Sequence, residues 1–408
     1  MTATSAGERD VVRELAQRVA AIAADDRMAA IRRRWRDVNA LRRPDRAPVW
    51  CRPVGCWPEL LPEEDLVCTD PYLRSIERGF RQTLVKREID DDTPVRDRFA
   101  VGAVFDVAPR NIWGVDAARH RPAEKDGAWA FDPPLKTPAD FNRLQLPAYT
   151  YNETRTSEAL SRAHDLLGDI LPVELECQPP LGASTLVNAA AELRGLVEMM
   201  MDTAAEPALL HRLMGHLRDG VLAAMDDVLA TGLLTCNHHG PMIESDPIGP
   251  EPAGGRVTYA NCWQMANSQE FDQVSPAAWE TFCLDYQRPI LERFGLTAYG
   301  CCENLTHKID GVLSIPNLRI FVSSAWTDLD TVIDRVGADY VIMWRQKASD
   351  VVMPHDAGVI RRDLEAGLRR LKGCRVQVVL RELQTLRGRS DRLHVWTLIA
   401  KELAAKYA

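Results

Sequence analysis

The 408-residue sequence contains no run near 18 uninterrupted apolar residues, so no membrane-spanning helix is expected. It has no basic excess. The formal net charge of −8 argues against a general nucleic-acid binder, which must neutralise phosphates. No GxGxxG or GxxxxGKS loop is present, so a nucleotide-binding fold lacks its signature. The ten cysteines include no CxxC…CxxC pattern, and the opening "MTATSAGERD" lacks a basic-then-apolar signal. A cytoplasmic location is therefore expected, with thiols in preference to disulfides. Internal repeats and long low-complexity tracts are absent as well.

What is present is ample core material, 46% hydrophobic, in a regular order. Residues 8–40 carry Val11, Leu15, Val19, Ile22, Met28, Ile31 and Trp35 at helical spacing, which predicts an N-terminal helical cover over 1–45. Eight short β-prone runs follow: 47–53, 99–107, 170–177, 232–239, 295–302, 318–324, 339–344 and 375–382. Several are separated by clear helical stretches, such as "SPAAWETFCLDYQRPILERF", where Ser-Pro marks a helix start. Alternation of this kind implies parallel strands. The predicted fold is an α/β (β/α)8 TIM-type barrel over 46–408, with an insertion near 115–150. A doubly wound open sheet is the alternative.

In such a barrel the chemistry gathers at the C-terminal strand ends. The residues predicted there are Arg52, Asp106, Glu176, Cys177, His238, His239, Cys301, Cys302, Glu303, Arg345, Lys347, Arg381 and Glu382. In "YGCCEN" (299–304) strand alternation puts Tyr299, Cys301 and Glu303 on one face and Cys302 on the other. Thiolates and imidazoles suit zinc, but two adjacent cysteines also serve as small buried hydrophobes. His238 and His239 suit a ligand or an acid/base role near neutral pH. Arg52 and Arg345 present forks that match a carboxylate, or ordinary ion pairs.

These segments resemble the uroporphyrinogen decarboxylase superfamily, which includes zinc-dependent, cobalamin-linked methyltransferases. "APVWCRPVGCWPELLPE" is similar to its first strand and loop, "VFDVAP" to its second-strand aspartate, and "LPVELECQPPLGAS" with "ELRGLVEMMMD" to its third strand and following helix. "YGCCE" lies where the methyltransferases carry a His-x-Cys element. Two departures stand out. Cys56 replaces the decarboxylase's second loop arginine, and Tyr299 replaces the methyltransferases' histidine. The resemblance implies methyl transfer between a small molecule and a corrinoid or thiol acceptor, with the corrinoid carried by a partner protein. Zinc would draw its ligands from Cys301, Cys302, Glu303, His239 and Glu176. Arg52, Asp106, His238 and Tyr299 are the expected catalytic residues, and Trp57, Arg345 and Glu382 the expected substrate contacts. The alternative is a metal-free decarboxylase-like lyase using Arg52 and Asp106 on a small carboxylic acid. A non-catalytic ligand-binding barrel is a third reading. A homodimer is the expected assembly.

Overall fold

The computed structural model describes residues 3–120 and 130–408. In chain order the strands are β1 (Val49–Cys51), β2 (Phe99–Gly102), β3 (Phe105–Ala108), β4 (Ala118–His120), β5 (Ala130–Asp132), β6 (Ala148–Tyr151) and β7 (Val173–Glu176). They continue with β8 (Trp263–Ala266), β9 (Leu296–Tyr299), β10 (Leu318–Ser323), β11 (Val341–Arg345) and β12 (Arg375–Leu380). Six form one parallel sheet in the order β1-β12-β11-β10-β9-β8, and β2 pairs with β7 in a separate parallel ladder. The fold is α/β and TIM-barrel-like. It is not the closed eight-stranded barrel expected from the sequence.

The physical reason lies in two short stretches where side chains stand in for a ladder. Between β7 and β8 runs 233–237, which forms no strand. Thr235 N–H donates to Cys177 O (3.0 Å), while Thr235 Oγ1 accepts from Cys177 N–H (3.1 Å). The Asn237 amide bonds both backbone groups of Trp263, at 2.7 and 2.8 Å. Such polar side chains offer the backbone an alternative to regular pairing. Beside β1, Asp91 and Asp92 accept from the N–H groups of Cys51 and Val49. The expected run 232–239 is therefore not the fourth parallel strand; β8 is. The expected run 99–107 also divides, since β3 leaves β2 and pairs antiparallel with β6. Residues 121–129 of the expected insertion lie outside the described residues; β4 and β5, which flank them, pair antiparallel.

Period-two alternation sorts the sheet into two apolar faces. Val49, Cys51, Tyr299, Phe321, Ile342, Trp344, Val378 and Leu380 pack into the flanking helix layer. Trp50, Ala298, Ile320, Val322, Val341, Met343 and Val379 join the other cluster. That cluster also takes in the N-terminal helices α1 (Ala3–Ala23) and α2 (Asp26–Asn39), through Val12, Leu15, Val19, Met28, Ile31 and Trp35. Polar bonds fasten α2 to the starts of the strands. Trp35 Nε1 donates to Asp92 O, Arg319 donates to Asn39 O, and Arg375 donates to Leu41 O just beyond the helix. Among the described residues no helix is long and apolar enough to cross a membrane.

Candidate active site

The opposite end of the sheet is built around a turn. Gly300 follows β9 with φ +117°, a conformation that L side chains rarely adopt. An added Cβ would sit 2.9 Å from Val322 Cβ and 3.0 Å from Val322 O. The turn interrupts strand alternation, so Tyr299 and Cys301 do not share a face. Tyr299 is fully buried in the helix layer, donating to Gln287 Oε1 (2.8 Å) with its ring edge-on to Trp279.

Glu303 clamps this turn. Its carboxylate accepts from the backbone N–H groups of Ser268 and Cys301, both at 2.8 Å, while the side chain is 2% exposed. Burial raises its pKa. Beyond the clamp the two thiols lie side by side, with Sγ atoms 3.7 Å apart. Arg345, the last residue of β11, donates from Nη1 to Cys301 O (2.6 Å) and Glu382 Oε1 (2.9 Å), and lies 3.7 Å from Cys301 Sγ. Cys302 Sγ is 3.3 Å from Glu382 Oε1. Glu382 itself has φ +61°, a strained position for a non-glycine residue that turns its carboxylate to this contact.

The charges divide the two thiols. A hydrogen bond from Cys302, then the charge and hydrogen bond of Arg345 and the charge of Arg381, outweigh burial and hold Cys301 down at about 5. Cys302 is pushed up by Cys301, burial and Glu382. Turned towards Cys301, the single Cys302 proton supports the Cys301 thiolate; turned towards the nearer Glu382, it leaves that support to Arg345 and Arg381. Burial raises all the remaining thiols, Cys56 to about 11 and Cys51 to about 12 among them. A thiolate beside guanidinium groups is a nucleophile at neutral pH.

Arg345 is only 1% exposed, yet among the described residues its Nε and Nη2 have no partner; neither does the buried Nε of Arg381. Arg381 lies close enough to Arg345 and Arg52 that, after burial, their positive charges lower its pKa further. Arg52 is exposed at the end of β1, and Trp57 is half-buried at the start of the short helix Trp57–Leu60. A cavity of about 260 Å³ is lined by Cys302, Ser324, Trp326, Lys347, Ser349 and Glu382. A more open one of about 480 Å³ shares Trp326 and Lys347 and reaches Arg345. The Lys347 ammonium lies 5.0 Å over the Trp326 ring.

Glu270 was not among the expected residues. It sits on the turn Gln269–Phe271 after β8, with Oε2 buried and unpartnered. Burial, then the charges of Glu303 and Cys301, raise its pKa. The signal for it was the Ser275-Pro276 helix start, because a βα unit places a strand end shortly before its helix.

Other expected site residues lie elsewhere. Asp106 is exposed on the β3–β6 ladder, paired with Arg155 (3.1 Å) and accepting from Asn152 (2.7 Å). Glu176 pairs with Arg96. The His238 and His239 rings lie side by side, inclined by 53° with centroids 4.4 Å apart, and lead into a loop tied to α2 by Arg36–Glu244 (3.0 Å) and by Asn39 to Met242 O (2.9 Å). Among the described residues no group of three or more His, Cys, Asp or Glu is gathered to hold a metal ion. The five expected zinc ligands do not fit as a set: Glu303 is spent on backbone amides and Glu176 on an arginine.

No protein-family model matches the chain, and no curated protein sequence does. Among solved structures it is similar to a methyltransferase from Methanosarcina mazei. Identity is 10% and the TM-score 0.52, over 91% of this chain and 98% of that one. At such identity the likeness shows the fold alone. The fold and the strand-end cluster together define an α/β, TIM-barrel-like protein with a thiolate, three arginines and two acids of raised pKa at one end of its sheet.

Proposed function

We propose that the protein is an enzyme of the uroporphyrinogen decarboxylase superfamily in the broad sense, a lyase that removes carbon dioxide from a small carboxylic acid. One observation carries this reading: Arg345 is buried with two nitrogens unpartnered beside Arg381. A buried guanidinium left half-satisfied is a ready seat for a carboxylate, which it meets through a two-pronged fork. Lys347 and Arg52 add positive charge around the same mouth. In the reaction the C–C bond breaks, carbon dioxide departs and the electron pair stays on carbon. The arginines and Lys347 stabilise that developing negative charge. Glu270, whose pKa is raised by burial, supplies the proton that replaces the lost carboxylate. Glu270 takes the place expected for Asp106, whose carboxylate is committed to Arg155.

The test is a panel of small mono- and dicarboxylic acids assayed for carbon dioxide release. Turnover of one acid, lost in Glu270→Gln and Arg345→Met and retained after chelator treatment, supports the reading. Turnover that survives both substitutions sinks it. A second reading keeps zinc-dependent methyl transfer to a corrinoid protein, favoured by the fold likeness to a methyltransferase. Stoichiometric metal in the purified protein, removed together with activity, would favour it.

A further inference from the structure

We propose that Cys301 and Cys302 form a reversible dithiol–disulfide couple, in which Cys301 attacks a low-molecular-weight disulfide and Cys302 resolves the product. This does not rest on the lyase reading. The two Sγ atoms are 3.7 Å apart, and both residues are half-buried, not sealed. Cys302 lines the cavity of about 260 Å³, which gives small molecules a route to the pair. The turn is held on both sides of Cys301, by Glu303 at its N–H and by Arg345 at its carbonyl. Each sulfur has its own helper. The Arg345 guanidinium stands 3.7 Å from Cys301 Sγ, and the Glu382 carboxylate 3.3 Å from Cys302 Sγ.

The chemistry balances without a metal. The Cys301 thiolate attacks RSSR, forming Cys301–S–S–R and releasing RS⁻. Cys302 gives its proton to Glu382 and attacks the Cys301 sulfur, forming the Cys301–Cys302 disulfide and releasing a second RS⁻. Two electrons pass from the dithiol to the small disulfide, and the released thiolates take protons from solvent. Adjacent residues have Cα atoms about 3.8 Å apart, shorter than the roughly 4.4–6.8 Å of ordinary disulfides. The ring is therefore strained and easily reduced again, as labile disulfides are. Oxidation also removes the thiolate that faces Arg345, leaving the arginine cluster more positive.

The full chain is incubated with oxidised glutathione, and intact mass and peptide maps are recorded. The expected result is a 299–304 peptide that loses two hydrogens, restored by reductant. Cys302→Ser stops at a glutathione adduct on Cys301, and Cys301→Ser reacts about tenfold more slowly or less at position 302. A wild-type peptide that keeps a stable adduct, stays unmodified, or reacts after another cysteine overturns the proposal. So does an adduct trapped on Cys302 in the Cys301→Ser protein at the wild-type rate. The wild-type mass alone decides the main point, so a variant that fails to fold leaves the test intact.

Discussion

The two ends of the sheet treat buried charge in opposite ways. At the α2 end, Asp92 is 1% exposed and wholly matched: Arg34 (2.8 Å) and Arg46 grip its carboxylate, and Val49 N–H adds a third bond (2.7 Å). At the other end Arg345 is just as deeply buried, but two of its nitrogens have no partner. Glu270 and Arg381 repeat the pattern of unpartnered buried atoms there. A fully satisfied network rigidifies a fold, while a partly satisfied one is costly unless something completes it. The first end holds the protein together; the second leaves buried cationic groups unmatched, as the proposed carboxylate seat requires.

Breaking the satisfied end has the largest expected effect on stability. Asp92→Ala leaves Arg34 held by the exposed Asp45, takes the carboxylate from Arg46 and strips Val49 N–H of its acceptor, which costs about 3 kcal/mol. Urea unfolding should show this as a lower midpoint, while the folded fraction still alkylates at Cys301 at the wild-type rate. A midpoint shift below about 1 kcal/mol would show that α2 is not fastened through Asp92.

Arg345→Met probes the unsatisfied end. Removing the guanidinium takes away positive charge and a hydrogen bond from Cys301, so its pKa rises from about 5 towards the ordinary thiol range. Fewer thiolates then exist at pH 6, and iodoacetamide alkylation there should slow by about 10–100-fold, as expected for a charged hydrogen bond of about 1.5–3 kcal/mol. Near pH 10 the two proteins should converge. Equal rates at pH 6 would show that Arg345 does not set the thiolate. Gly300→Ala tests the turn between them. Strain at φ +117° and contact with Val322 should cost about 1–3 kcal/mol and slow Cys301 alkylation, because the turn that aims the thiols must shift. A variant of wild-type stability and reactivity would show that the turn tolerates a side chain.

The same contrast explains what could be read in the sequence. Arg345, Arg381, Glu382 and the thiols end strands of strongly apolar composition, so pattern alone placed them together. The strand β8, "WQMA", is four residues long with mixed burial and no β-branched residue, so nothing in its periodicity marked it. The run "GLLTCNHH" had the apolar pattern of a strand, yet Thr235 and Asn237 use side chains where a strand would use backbone. Taking it for the fourth parallel strand placed His238 and His239 at the mouth. Asp106 was misplaced for a related reason: the apolar run 99–107 hides the break between β2 and β3. The alternation argument for Cys301 failed at one residue, Gly300, whose positive φ resets the phase.

The histidine pair should give the smallest effect. His239 is exposed, and His238 has a buried Nδ1 without a partner. Replacing both with alanine removes an unsatisfied group and breaks no hydrogen bond of their side chains. Stability at neutral pH should change by about 0.5 kcal/mol or less, and Cys301 alkylation should not change. The pH dependence carries the sign. Desolvation, only partial at the exposed His239, lowers both histidines below their usual 6.5, so the unfolded chain binds protons there that the folded chain refuses. Wild-type stability therefore rises with pH through that window and falls on acidification below about 6.5. The double alanine protein should lose less stability over the same acid range, measured as urea midpoints from neutral pH downward. An unchanged slope would mean that the histidines titrate normally in the fold. A tenfold change in Cys301 alkylation would instead join the histidines to the thiol site and return them to the role their sequence first suggested.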